Sequence, residues 1–249
     1  MTLDYKGKTI LVTGATRGIG KQIADDLALL GAKLILTGTH PEQIAELNQF
    51  EHNHNPNKIY YCVDLLNTKS LDSFIEKLEE FPKIDGLINN AGINRLNFIN
   101  DTIDNDWDEM LAVNLSAPFK LLKIVSKKMI SHQYGRVINI ASIFSKISKE
   151  KRSAYSATKF GLHGLTVGVS NDLARHNILV NTLSPGFVMT DLTRKNLSVK
   201  EMEQLADQIP TKRLAEVKDI SNVAIFLLSE MNTYLTGQNI IVDGGFTNV

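Results

Sequence analysis

In the stretch "RSAYSATKF", Arg152 to Phe160, a phenol and an ammonium stand four residues apart, at Tyr155 and Lys159. The stretch has a helical pattern, and residues at i and i+4 lie one above the other on a helix face. A cation beside a phenol stabilises phenolate and draws its pKa down from about 10 toward working pH. Such a pair can give or take a proton. A surface tyrosine near a solvated lysine has the same spacing, so the pair acquires meaning only from the rest of the chain.

A second group of residues has phosphate chemistry. "TGATRGIG", Thr13 to Gly20, follows an apolar run and opens a helical pattern. Gly14, Gly18 and Gly20 allow a tight turn, close approach of a ligand to backbone, and close helix–strand packing. The helix N-terminus then offers N–H groups and positive partial charge to a phosphate. The spacing is G-x3-G-x-G, not the usual G-x-G-x-x-G. NAD-preferring sites carry an acid at the end of the second strand. Here that strand ends "LTGTH", with Gly38 and Thr39 where the acid would stand. Arg17 lies in the turn and Lys21 one helical turn beyond. These residues favour NADP(H) over NAD(H).

Positioning such groups requires a regular frame. "TILVT", "KLILT", "KIYYCVD", "DGLINNAG", "GRVINIAS", "ILVNTLSPG" and "QNIIVDGG" read as seven strands separated by helical patterns. The helices include Ile19 to Leu30, stopped by Gly31, then Ser70 to Glu80, then about Asp104 to Met129, then the helix of Tyr155. Alternating strands and helices predict an α/β fold. It is a Rossmann-like, doubly wound parallel sheet of about seven strands with helices on both faces. One domain, 1–249, is expected, with a cofactor half to about 135 and a catalytic and substrate half from about 136. The segment Phe187 to Arg213 interrupts the alternation and reads either as a lid or binding loop or as a surface helix pair.

Bulk numbers narrow the class. Of 249 residues, 27 are basic and 27 acidic, so no net field draws the chain to nucleic acid or to an anionic membrane. The start lacks the apolar core of a signal peptide, and no segment is apolar enough to span a bilayer, so a soluble cytoplasmic protein is expected. The single cysteine, Cys62, lies in an apolar run and reads as a buried small hydrophobe. No cluster suggests a metal. The histidines, His40, His52, His54, His132, His163 and His176, are scattered and read as solvated or structural.

Together these motifs resemble the short-chain dehydrogenase/reductase family over essentially the whole chain. The resemblance rests on "TGATRGIG", "NNAG", "VNLSAPF", "INIASIF", Y-x-x-x-K, "SPGFVMT" and "GQNIIVDGG". Within the family, "IPTKRLAEVKDI" and "DGGF" are most similar to bacterial 3-oxoacyl-acyl-carrier-protein reductases. The resemblance implies Asn114, Ser142, Tyr155 and Lys159 as the catalytic set. Tyr155 would give the proton, Ser142 would hold the carbonyl oxygen, Lys159 would hold the ribose, and Asn114 would keep a proton-relaying water in line. The implied cofactor residues are Gly14, Thr16, Arg17, Gly18, Ile19, Gly20, Thr39, Asp64, Asn90, Ala91, Gly92, Pro185, Gly186, Val188 and Thr190, with Tyr155 and Lys159. Asp64 could accept from the adenine amino group or cap the next helix. A homotetramer is implied, built on the terminal strand and the long helices.

The chain departs from those reductases in "IFSKISKEKRSAY", where the family loop is small, polar and glycine-rich. Lys149, Lys151 and Arg152 become candidate substrate contacts, or the tip of a solvated loop. Where the family carries basic residues that dock the acidic carrier protein, Gln133 and His176 stand. Three functions follow. The first is reduction of a 3-oxoacyl thioester. The second is oxidoreduction of a polar or anionic carbonyl compound, such as a sugar derivative in surface-polysaccharide synthesis. The third is a non-catalytic nucleotide-binding scaffold, disfavoured by the full catalytic set.

Overall fold

A computed structural model describes residues 3–248. The first half runs β1 (Thr9–Val12), α1 (Gly18–Leu29), β2 (Lys33–Gly38), α2 (Pro41–His54), β3 (Lys58–Cys62), α3 (Thr68–Glu79), β4 (Gly86–Asn89), α4 (Asp104–Leu111) and α5 (Ala117–His132). The second runs β5 (Gly135–Ile140), α6 (Ser153–Leu173), β6 (Ile178–Pro185), β7 (Val188–Met189), α7 (Asp191–Asn196), α8 (Val199–Asp207), β8 (Ala215–Glu216), α9 (Val217–Leu228) and β9 (Asn239–Val242).

The seven expected strands form one parallel sheet in the order β3-β2-β1-β4-β5-β6-β9. From β1 the chain steps outward to β3, then returns to the other side of β1 at β4. That reversal opens a crevice at the carboxyl ends of β1 and β4, where open α/β sheets bind ligands. Strands β4, β5 and β6 are buried along their whole length. Their largely apolar composition follows, because helices cover both faces, and the buried polar residues among them, such as Asn89 and Asn139, bond to one another across the sheet. On one face Ile23 and Leu27 of α1 and Ile220 and Ala224 of α9 pack with Val12, Leu36 and Ile88. On the other, Leu71 and Phe74 of α3 and Leu121 and Val125 of α5 pack with Leu11, Leu87 and Val180.

Two expectations are amended, and two elements gain detail. The helix predicted from Asp104 to Met129 is two helices joined by a wider π turn over Ala112–Ser116. Pro118 has no N–H to give the Asn114 carbonyl four residues back, so the regular ladder breaks at that point. Cys62 is exposed, not buried. It ends the edge strand β3, where only one neighbour covers the sheet, and its Sγ lies 3.7 Å from the Thr39 carbonyl oxygen. The segment 187–213 holds the helices α7 and α8, and a short parallel pair of β7 with β8 ties its start to the residues just after its end. The terminal strand β9 is only half-buried, as the other edge of the sheet.

Candidate active site

The glycine turn is fixed by bonds between strand ends. Gly14 and Gly18 have φ of +64° and +56°, which side chains rarely adopt. A Cβ on Gly20 would stand 2.4 Å from both Asn90 Nδ2 and the Gly14 carbonyl oxygen, so this glycine is required by close packing. Gly14 N–H donates to Thr37 Oγ1 (3.2 Å). Asn90 Nδ2 donates to the carbonyls of Thr13 and Gly14, both at 2.9 Å. Thr13 Oγ1 accepts from the N–H groups of Asn90 and Ala91 at 3.0 Å each. The ends of β1, β2 and β4 are thereby locked around one crevice.

At the head of that crevice, α1 begins with no side-chain cap and no acid in its first turn. Its first N–H groups therefore await an acceptor from outside the helix, which fits a phosphate. The crevice is a cleft of about 610 Å³ lined by Gly14, Thr16, Arg17, Gly18, Ile19, Thr39, Asp64, Asn90, Ala91, Gly92 and Thr190. His40, Gln43, Leu65, Ile93, Val113 and Asp191 also line it. These were not named as site residues from the sequence, although all but Gln43 adjoin one that was.

Some expected cofactor residues do not line the cleft. Gly20 lies beneath the turn. Pro185 ends β6, and Gly186 packs on the Asp243 backbone, where a Cβ would approach Cα to 2.8 Å. The Val188 side chain belongs to the core. Its carbonyl accepts from Thr190 N–H (3.0 Å) and Thr193 Oγ1 (2.8 Å). Lys21 is ion-paired with Asp25 at 2.6 Å. Of the two cations near the turn, Arg17 is the one in the cleft wall. The helix-cap alternative for Asp64 falls, because Asn67 caps α3 by accepting from Ser70 N–H at 3.1 Å. Asp64 instead turns its own loop, accepting from Leu66 N–H at 3.0 Å.

The four residues of the expected catalytic set come from three elements. Ser142 follows β5 and its Oγ accepts from Phe144 N–H at 3.3 Å. Tyr155 and Lys159 lie on α6, and Asn114 lies in the π turn. Lys159 is 3% exposed and its Nζ donates to the Ile140 carbonyl at 2.9 Å. Asn114, 1% exposed, accepts from Ile93 N–H and donates to Ile93 O, both at 2.9 Å, and to Thr158 Oγ1 at 3.1 Å. A Cβ on Gly92 would meet Asn114 Oδ1 at 3.3 Å and Lys159 Nζ at 3.5 Å. The glycine-turn cleft and the expected catalytic set thus share a wall at Gly92.

The expected lowering of the Tyr155 pKa is not found. Burial raises it, and a hydrogen bond with Ser142 and the Arg152 guanidinium offset that only in part. Burial lowers Lys159 to about 8. Lys159 Nζ lies 5.6 Å from the Tyr155 ring centroid and gives one N–H to the Ile140 carbonyl. At neutral pH the phenol is held protonated, in the state that gives a proton.

The loop before α6 is tied down at the mouth of this site. Lys149 Nζ stands 5.7 Å from the Phe187 ring centroid, Lys151 Nζ 4.8 Å from that of Phe98, and the Arg152 guanidinium 4.9 Å from that of Phe144. Lys146 Nζ donates to Thr247 and Asn248 near the chain end. These rings follow β4, β5 and β6, so all three cations gather at the catalytic end of the sheet. Gln133 and His176 touch at 3.1 Å but precede β5 and β6, at the opposite end of those strands from Ser142.

A family model described as enoyl-(acyl carrier protein) reductase matches residues 14–247. The chain is 35% identical over 244 residues to the 3-oxoacyl-[acyl-carrier-protein] reductase of Escherichia coli (strain K12), covering 98% of each. It is 37% identical over 247 residues to that of Aquifex aeolicus (strain VF5), covering 98% of this chain and 99% of the other. Among solved structures, a gluconate 5-dehydrogenase from Burkholderia cenocepacia J2315, in complex with NADP and tartrate, superposes with a TM-score of 0.91 at 31% identity. That match covers 99% of this chain and 97% of that one.

Proposed function

Because the chain belongs to the short-chain dehydrogenase/reductase family and is an NADP(H)-dependent oxidoreductase acting on a CH–OH/C=O group, we propose that it reduces a ketone with Tyr155 as the proton donor. The carrying observation is that Tyr155, half-buried on α6 with its phenol pKa raised, stands one helical turn before Lys159, whose Nζ approaches Gly92 together with Asn114 Oδ1 in the wall of the glycine-turn cleft. An enzyme of this class has no need of the scaffold reading.

In this proposal the N–H groups opening α1 and the Arg17 side chain hold phosphates, and Arg17 takes the one that distinguishes NADPH. When bound, NADPH supplies the hydride for the carbonyl carbon. Tyr155 gives its hydroxyl proton to the carbonyl oxygen. Ser142 donates to the same oxygen as negative charge grows there, which stabilises the transition state more than the ground state. Lys159 holds ribose hydroxyls and stabilises the phenolate left behind. Asn114 acts through its place in the π turn, because its side-chain amide is already bonded to Ile93 and Thr158. It holds open the route by which solvent returns the proton to Tyr155. Residues before about 135 carry the cofactor and those after it the chemistry, within one unit spanning 1–249.

A 3-oxoacyl thioester, on acyl carrier protein or coenzyme A, is the first substrate reading. Near-full-length similarity to 3-oxoacyl-[acyl-carrier-protein] reductases supports it. Purified protein should oxidise NADPH when given acetoacetyl thioester. Absence of turnover there, with turnover on polyol-derived oxo acids, would overturn this reading. The second reading, an anionic or hydroxyl-rich ketone, draws support from the three loop cations and from likeness to a gluconate dehydrogenase.

We also propose a homotetramer. Phe119 on α5 and Phe160 and Val167 on α6 are exposed at 52%, 46% and 40%, and the edge strand β9 is half-covered. Pairing such faces between copies would bury apolar surface that one chain leaves to water. Light scattering should return a mass near four times the 27.7 kDa of one chain. A single-chain mass at micromolar concentration would refute it. No helix among the described residues is long and apolar enough to cross a membrane.

A further inference from the structure

Arg152 directly precedes α6, three residues before Tyr155, so the two share the first turn of one helix. Its guanidinium lies over Phe144, and Phe144 meets the Tyr155 ring nearly edge-on at 6.2 Å between centroids. Cation, ring and phenol therefore follow one another at the mouth of the site. The side chain is half-buried, yet among the described residues no acid pairs with it, Glu150 included. Two other surface arginines do hold acids. Arg95 holds Glu109 at 3.0 Å and Arg213 holds Asp219 at 2.6 Å.

A guanidinium removed from water without a counter-charge costs stability, and an arriving anion recovers it. Burial accordingly depresses its pKa. Its planar fork matches the two oxygens of a carboxylate, and its place over the Phe144 ring holds the charge beside the mouth of the site. The α6 N-terminus, with no acid in its first turn, adds positive partial charge. Lys149 and Lys151 stand further out over Phe187 and Phe98 and focus anions toward the same mouth.

We infer that Arg152 determines substrate charge: its guanidinium receives a carboxylate borne by the ketone, so a small oxo acid is preferred to its neutral ester. This rests on the reading of Tyr155 as the donor to that ketone. The outer lysines raise the local concentration of the acid, whereas Arg152 binds it.

The test uses acetoacetate and methyl acetoacetate, two ketones of similar shape that differ in charge, with saturating NADPH at fixed ionic strength. For the wild type, kcat/KM should favour the acid. In Arg152→Gln the acid-to-ester ratio should fall by about tenfold or more, the range of a lost charge-assisted hydrogen bond. Arg152→Lys keeps the charge without the fork and should retain part of the ratio, which guards against a folding defect in the first variant. Lys149→Gln with Lys151→Gln should change the ratio less than Arg152→Gln. An unchanged ratio in Arg152→Gln would overturn the inference. Turnover of acetoacetyl thioester with none of the free acid would also overturn it, while leaving the ketone-reductase reading in place. If no ketone or thioester is reduced at all, both fall together.

Discussion

Tyr155→Phe is expected to bind NADPH as the wild type does and to reduce its ketone roughly 10²- to 10⁴-fold more slowly, the usual contribution of a positioned general acid. The substitution removes one oxygen and keeps the ring, so the edge contact with Phe144 survives. What disappears is the hydroxyl proton, which burial holds on the phenol to higher pH than usual. No other side chain in the group can replace it. Ser142 has a hydroxyl but an alcohol's acidity, and Lys159 is turned to the Ile140 carbonyl. Cofactor titration by fluorescence and steady-state kcat separate the two effects. Near-normal turnover with bound NADPH would mean that another group delivers the proton.

Arg17→Ala should weaken NADPH binding by on the order of 1.5–3 kcal/mol, or roughly 10- to 150-fold, the worth of a hydrogen bond to a charged group. NADH binding should change little, since the adenine-ribose phosphate is what differs between the two. The size of the effect depends on there being no substitute. Lys21, the nearest other cation in the turn, is committed to Asp25. On the opposite wall Thr39 brings neither charge nor repulsion. Gly38 beside it cannot take a larger side chain, because a Cβ there would stand 2.4 Å from Thr16 Cγ2. Dissociation constants for both cofactors in wild type and variant check this, and equal wild-type affinities for the two would sink it.

The sheet was legible because strands buried on both faces are mostly apolar and short, and runs such as "TILVT", "DGLINN" and "ILVNTLSP" alternate with longer helical patterns. The cleft was legible because glycines at Gly14 and Gly18 are demanded by backbone angles, which sequence records directly. Side-chain direction was not. Lys21 and Arg17 look alike as letters, and only the helix surface puts Asp25 within reach of the first. The π turn at Asn114 was encoded in Pro118, but its effect shows only once the helix around it is drawn. Cys62 misled for a related reason. An apolar neighbourhood in sequence means burial inside a sheet, and it loses that meaning on the outermost strand. The state of the Tyr155 phenol also escaped, because spacing to Lys159 says nothing of what burial does to the hydroxyl or of where the ammonium points.

That outermost strand makes the protein easy to follow optically. The chain has one thiol, Cys62, exposed and 3.7 Å from the carbonyl of Thr39 in the cleft wall. A maleimide dye would attach once per chain, without mutagenesis, beside the Thr39 side of the cleft. Its emission is expected to change as NADPH binds, and slower labelling in the presence of NADPH would report the same binding. Ligand screens against this site therefore need no substrate.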